Sequence, residues 1–262
     1  MVKQQYDPVA TRLASAGEEN SDSVVKWIEG QQRRGMMYRR ATLCMAGGFA
    51  VVTVAATVGS LISLFFAREM QTLFRHDFPV GVESPTSVMA MPVALAVVTA
   101  LLIVSGSLAW ASGRVPGLTG VRSAIDWTAA GDAIARLLSI GCTYPEAFKM
   151  AAEVTQTGRS RGWLISAADR TERGESGPQA SSSGGDAGML ELLVDAGEGE
   201  PADQWRIASD HFYGVARRRL ALLLGAVPIL ATVIAGIIVW VAISATLGWM
   251  WLAVAQLIGG FR

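Results

Sequence analysis

PADQWRIASDHFYGVARRRLALLLGAVPILATVIAGIIVW, residues 201–240, passes from a water-compatible helix into an apolar one with no breaker between them. Trp205, Ala208, Phe212 and Val215 recur at three- and four-residue spacing, the stripe of a helix with one buried face. Pro201 suits the first turn, where an N–H would be unpaired anyway. Arg217, Arg218 and Arg219 close the polar part. After Arg219 no charged side chain appears until Arg262, a run longer than the ~20 apolar residues that cross a bilayer. The expectation is one helix that leaves a water-facing domain, enters a membrane and bends at Pro228, a structural hinge where the ring removes an i−4 hydrogen bond.

Two further windows lack Asp, Glu, Lys and Arg: residues 41–67 and 84–113. A soluble chain of 262 residues seldom hides three such runs in a core. Strand signals are nearly absent. The predicted class is therefore all-α: an integral membrane protein with three transmembrane helices and an antiparallel helical bundle. A fourth span is the alternative, if Gly248 ends the third helix and residues 249–261 form a separate interfacial or crossing segment. The first run is too long for a signal-peptide core and reads as a retained span.

Basic residues set the expected orientation. Arg33, Arg34, Arg39 and Arg40 precede the first span, Arg114 and Arg122 follow the second, and Arg217–219 precede the third. The positive-inside rule then puts residues 1–40 and 113–219 in the cytosol, and the loop 68–87 and Arg262 outside an inner (plasma) membrane. Residues 114–219 carry 12 Lys/Arg and 14 Asp/Glu, so this part faces water.

Its apolar residues recur at helical spacing. Trp127, Ala130, Ile134, Leu137 and Leu138 form one stripe, with Asp126, Asp132 and Arg136 off it. Gly141 ends that helix. Pro145 opens the next, with Phe148, Ala151 and Ala152 inward and Glu146, Lys149 and Glu153 spaced for pairing on the wet face. A third helix after Gly158 turns Trp163, Leu164, Ala167 and Ala168 inward. Residues 174–188, GESGPQASSSGGDAG, read as a flexible linker, and residues 189–196 as a short helix. Near the N-terminus, Val24, Val25, Trp27 and Ile28 suit a short amphipathic helix, either on a membrane surface or left from a further bundle.

The chemistry is sparse. Zero net charge gives no reason to expect nucleic acid as a partner. Cys44 and Cys142 lie far apart in the reading, as do His76 and His211, so no zinc cluster is expected. No phosphate loop is present: the three lysines, Lys3, Lys26 and Lys149, follow no Gly-rich turn. No cofactor is expected, and no enzyme activity. The acidic turn before Pro201 keeps several readings. Gly197 suits a helix C′ position, and Glu198, Glu200 and Asp203 suit the positive end of the following helix. Glu198 and Glu200 are also weak candidates for a divalent cation, and the turn is a candidate for docking a basic partner surface.

Together these pieces resemble the F domain of type II secretion, also found in the inner-membrane platform protein of type IV pili. The matching residues are LLSIGCTYPEA at 137–147, Gly174-Glu175-Ser176, Gly197-Glu198, Arg217-Arg218-Arg219 and Pro228, with residues 74–86 similar to the family's outer loop. The likeness spans Asp126 to about Leu247 and corresponds to a single-copy version of a domain often present twice. It implies a scaffold that couples a cytosolic secretion ATPase to the assembly of pilin-like subunits, beside other inner-membrane platform subunits. It also implies pairing, as a homodimer or with another F protein. Candidate partner contacts are Glu146, Glu153, Gly197, Glu198, Glu200, Arg217, Arg218 and Arg219. The second reading is a small membrane transporter or sensor subunit with a regulatory bundle.

Overall fold

A computed structural model describes residues 7–17, 21–77, 87–112, 115, 117–174, 186 and 199–259. Among them are seven helices and no strand: α1 Pro8–Ser15, α2 Ser21–Asp77, α3 Ser87–Ala111, α4 Leu118–Ser139, α5 Tyr144–Val154, α6 Gly158–Glu172 and α7 Pro201–Gly259. Three of these, α2, α3 and α7, are long and apolar enough to cross a membrane. The chain divides into two compact units, Met1–Thr42 with Pro116–Leu223, and Leu43–Val115 with Leu224–Arg262.

The first unit is the bundle. Its core holds the expected stripes: Trp127, Ala130, Ile134 and Leu137 of α4, Phe148, Ala151 and Ala152 of α5, Trp163, Leu164, Ala167 and Ala168 of α6, and Trp205, Ala208 and Phe212 of α7. The α7 stripe continues at Ala216, which is buried, while Val215 is half-buried. Edge-to-face aromatic contacts lock the centre: Trp127 with Trp163 at 5.2 Å and Phe148 with Trp205 at 5.6 Å. Truncating either fully buried ring, Phe148 or Trp205, to Ala would cost about 3–5 kcal/mol. Gly141 ends α4 as expected, with φ +84 and the Cys142 N–H turned back to the Leu137 carbonyl at 3.0 Å.

Three expectations change. The N-terminal stripe divides: Trp27, with Val9 and Leu13 of α1, is fully buried in the bundle core, while Val25 and Ile28 are exposed. Trp27 Nε1 donates to Asp7 Oδ2 at 2.8 Å, tying α2 to the α1 cap. The apolar faces of α1 and of the first turns of α2 complete the bundle core, and nothing in residues 31–40 breaks α2 before its apolar window. Helix α2 stays helical to Asp77, inside the stretch 68–87 expected to be a loop; residues 78–86 lie outside the described ones. Finally, α7 runs unbroken through Pro228 and Gly248 to Gly259, so no helix ends at Gly248.

The second unit packs on small residues. A Cβ at Gly48 would lie 2.6 Å from Val227 Cγ1, and one at Gly59 would lie 3.4 Å from the Ala242 Cβ. Close approach of this kind is how helices associate where lipid removes the hydrophobic drive. Ser60 and Thr99 share a buried hydrogen bond at 2.9 Å between α2 and α3. Thr57, Ser105, Ser107 and Thr232 return their hydroxyls to carbonyls three or four residues back on their own helices. Leu43, Leu61, Leu101, Leu230 and Trp240 are all exposed. An apolar exterior on helices of this length suits lipid, and the chain is built as a multi-pass, all-α membrane protein.

Candidate functional site

The residues expected to meet partners fall into different roles. Arg217 and Arg218 are exposed, with no ion pair among the described residues. Arg219 is instead used within the bundle. Its guanidinium grips Asp186 at 2.9 and 3.1 Å and donates to the Gly120 carbonyl at 2.8 Å, while Ser123 Oγ donates to the same carboxylate at 2.9 Å. Asp186 belongs to the stretch read as a flexible linker, and this bidentate contact holds it at that point. Burial pushes its carboxyl up, but the hydrogen bonds from Arg219 and Ser123 and the Arg219 charge outweigh that and hold it below its ordinary value.

Glu146 reaches back to the Thr143 N–H at 3.4 Å, capping α5. Lys149 does not pair along its own helix. It crosses to Glu172 of α6, which raises the Lys149 pKa. Glu200 is exposed, and its carbonyl accepts from Asp203 and Gln204 at 3.0 and 3.2 Å, opening α7. Gly197 and Glu198 lie outside the described residues, as does the short helix expected at 189–196. Pro228 sits inside α7. Among the described residues no three His, Cys, Asp or Glu gather as a metal site.

Residues 158–162, GRSRG, have the G-x-S-x-G spacing of a hydrolase nucleophile turn. The setting differs. The segment opens α6 directly after α5, and no strand precedes it. Ser160 is buried, and its hydroxyl is held by Thr157, which suits a helix start and not an exposed nucleophile.

A concave feature of the bundle is a polar cleft of about 650 Å³, walled by α1, α2, α4 and the α5–α6 corner. Arg34, Tyr38, Arg122, Asp126, Glu153 and Arg161 all line it. Arg34 is 7% exposed, pairs with Asp132 at 3.1 Å and lies 4.8 Å over the Trp27 ring. Its second terminal nitrogen is buried with no hydrogen-bond partner, and so is Nε of Arg122. A buried donor left unpaired costs about 1–3 kcal/mol. Arg122 also stacks 5.9 Å from the Tyr38 ring. Asp126 was expected off the buried face, yet it is 5% exposed, because it accepts from the Thr157 and Gln156 N–H groups at 2.9 and 3.4 Å and closes the α5–α6 corner. Glu153, a predicted partner contact, is a wall of this cleft.

Comparison of the chain with family models, with curated proteins and with solved structures finds no match. The cleft was not legible in the sequence. Its arginines come from α2, α4 and α6, and Arg34 and Arg122 were visible only as topology-setting charges. The one available signal was the density of basic residues in QQRRGMMYRR, residues 31–40.

Proposed function

We propose that the protein is an inner-membrane platform protein of a type II secretion or type IV pilus-like machine, with its bundle in the cytosol and residue 262 outside. In this reading it couples a cytosolic secretion ATPase to the assembly of pilin-like subunits, and catalyses nothing itself. One observation supports it most. Helices α2 and α7 each supply core residues to the bundle (Trp27; Trp205 and Phe212) and then continue unbroken as apolar spans. A backbone-hydrogen-bonded rod carries displacement along its axis without a loop to absorb it. The order of the F-domain-like motifs along the chain supports the same reading. Exposed Arg217 and Arg218, with Glu200 beside the start of α7 and Glu198 two positions earlier in the sequence, are then the contacts offered to the ATPase and neighbouring subunits.

The test is co-purification. The full chain, extracted in maltoside, should retain the secretion ATPase of its own cell, and Arg217→Glu with Arg218→Glu should reduce that retention severalfold. Failure of the intact, helical protein to retain the ATPase, in detergent and in lipid discs alike, would overturn the reading. Glu198→Gln with Glu200→Gln should impair assembly mildly.

A further inference from the structure

We propose that the polar cleft of the bundle binds a phosphate-class oxyanion through Arg34, Arg122 and Arg161. The cleft volume, about 650 Å³, accommodates a phosphate together with the small molecule or headgroup that bears it. Arg34 is nine-tenths buried, and one of its terminal nitrogens lacks a partner although Asp132 satisfies the other. Arg122 has a buried Nε in the same condition. Arg161 lines the same cleft, is exposed, and makes no ion pair among the described residues. Guanidinium groups with unused donors match the geometry of a phosphate better than any neutral ligand does.

The acids of the cleft do not fill this role. Asp7 Oδ1 accepts the Val9 and Ala10 N–H groups, and its Oδ2 accepts Trp27 and Gln31. Asp126 accepts the Gln156 and Thr157 N–H groups. These carboxylates are turned to amide and ring donors, and only the exposed Glu153 stands against the arginines without a hydrogen bond. Tyr38, Ile125 and Val154 give the cleft an apolar wall for the remainder of the ligand. Tyr38 lies only three residues before the apolar window of α2. A phospholipid headgroup is therefore a second source of the same chemistry beside a free phosphate compound.

Calorimetric titration of the full chain in maltoside with inorganic phosphate addresses the free source. Melting in lipid discs with and without phosphatidylglycerol addresses the headgroup. Saturable phosphate binding, weakened about tenfold by Arg122→Gln with Arg161→Gln, supports the site with a free ligand. No phosphate binding, but a phosphatidylglycerol-dependent rise in melting temperature that the same double variant loses, supports it with a lipid ligand. Both substituted residues are at least partly exposed, and circular dichroism verifies that the variant is folded. Glu153→Gln removes the opposing charge and should tighten whichever ligand binds. Absence of both effects in the wild type, or equal effects in the double variant, overturns the proposal.

Discussion

Arg34 of α2 and Asp132 of α4, 98 residues apart in the chain, meet at 3.1 Å, and Asp132 turns its other oxygen to Arg136 at 2.8 Å. Arg136 in turn donates to the Ser23 carbonyl at 3.1 Å, so one carboxylate clamps the head of α2 to the bundle twice. Gly30 leaves the space this needs, since a Cβ there would lie 3.2 Å from the Arg34 terminal nitrogen. Removing one partner of a largely buried pair strands the other charge. Asp132→Ala should therefore lower the unfolding free energy by about 3 kcal/mol, whereas Arg34→Met with Asp132→Leu should recover only part of it, because Arg136 still loses its carboxylate. Urea unfolding in maltoside, followed by tryptophan fluorescence, measures both.

Glycine to alanine should have different effects at two helical positions. A Cβ at Gly131 would lie 3.1 Å from the Ser209 Cβ and 3.3 Å from its backbone, where Ser209 Oγ also donates to the Thr128 carbonyl at 3.0 Å. Backbone cannot yield as a side-chain tip can, so Gly131→Leu should destabilise by about 1–3 kcal/mol. Gly131→Ala should lose the gain that alanine normally brings. Gly162 has nothing within 4 Å of its added Cβ, and Gly162→Ala should stabilise by about 0.5–1 kcal/mol. Melting temperatures of the three variants decide this.

The Asp186–Arg219 contact makes a signed pH prediction. The Asp186 carboxyl is held below its ordinary value of 3.8 in the folded chain. A carboxyl lowered on folding contributes stability above its unfolded value and loses it as pH falls through its native one. The stability difference between wild type and Asp186→Asn should be constant from neutral pH down to about 5 and shrink below about 4. A difference that grows on acidification would contradict the assignment.

Pro228 denies the Leu224 carbonyl its helical N–H partner. Pro228→Ala restores that bond and should raise the melting temperature of the full chain. If Pro228 is the hinge expected from the sequence, and the machine needs α7 to flex there, the same variant should lower pilus or secretion assembly while the protein remains abundant. A variant that is more stable and fully active would remove the hinge role.

Much of the bundle was legible because period and punctuation are local. Trp127 to Leu137, Phe148 to Ala152 and Trp163 to Ala168 follow the helical repeat, and Gly141 and Pro145 mark a turn by backbone chemistry alone. The spans were legible for the same reason: long uncharged windows need no partner to be recognised. Asp126, expected on the wet face, is buried because groups outside its own helix satisfy it. Composition says that a charge prefers water, and only the specific N–H groups of Gln156 and Thr157, 30 and 31 positions on, override that for Asp126.

By itself, then, the amino-acid order determined the helices, their inward faces and the apolar lengths suited to a bilayer, since these depend on short-range periodicity and on transfer free energy summed along one segment. Only the tertiary structure decided that Trp27, Val9 and Leu13 complete the bundle core. It alone set Asp132 between two arginines and brought Arg34, Arg122 and Arg161 to one cleft. Those outcomes rest on contacts between residues tens to about a hundred positions apart, and no local pattern encodes which distant side chain will complete a hydrogen bond.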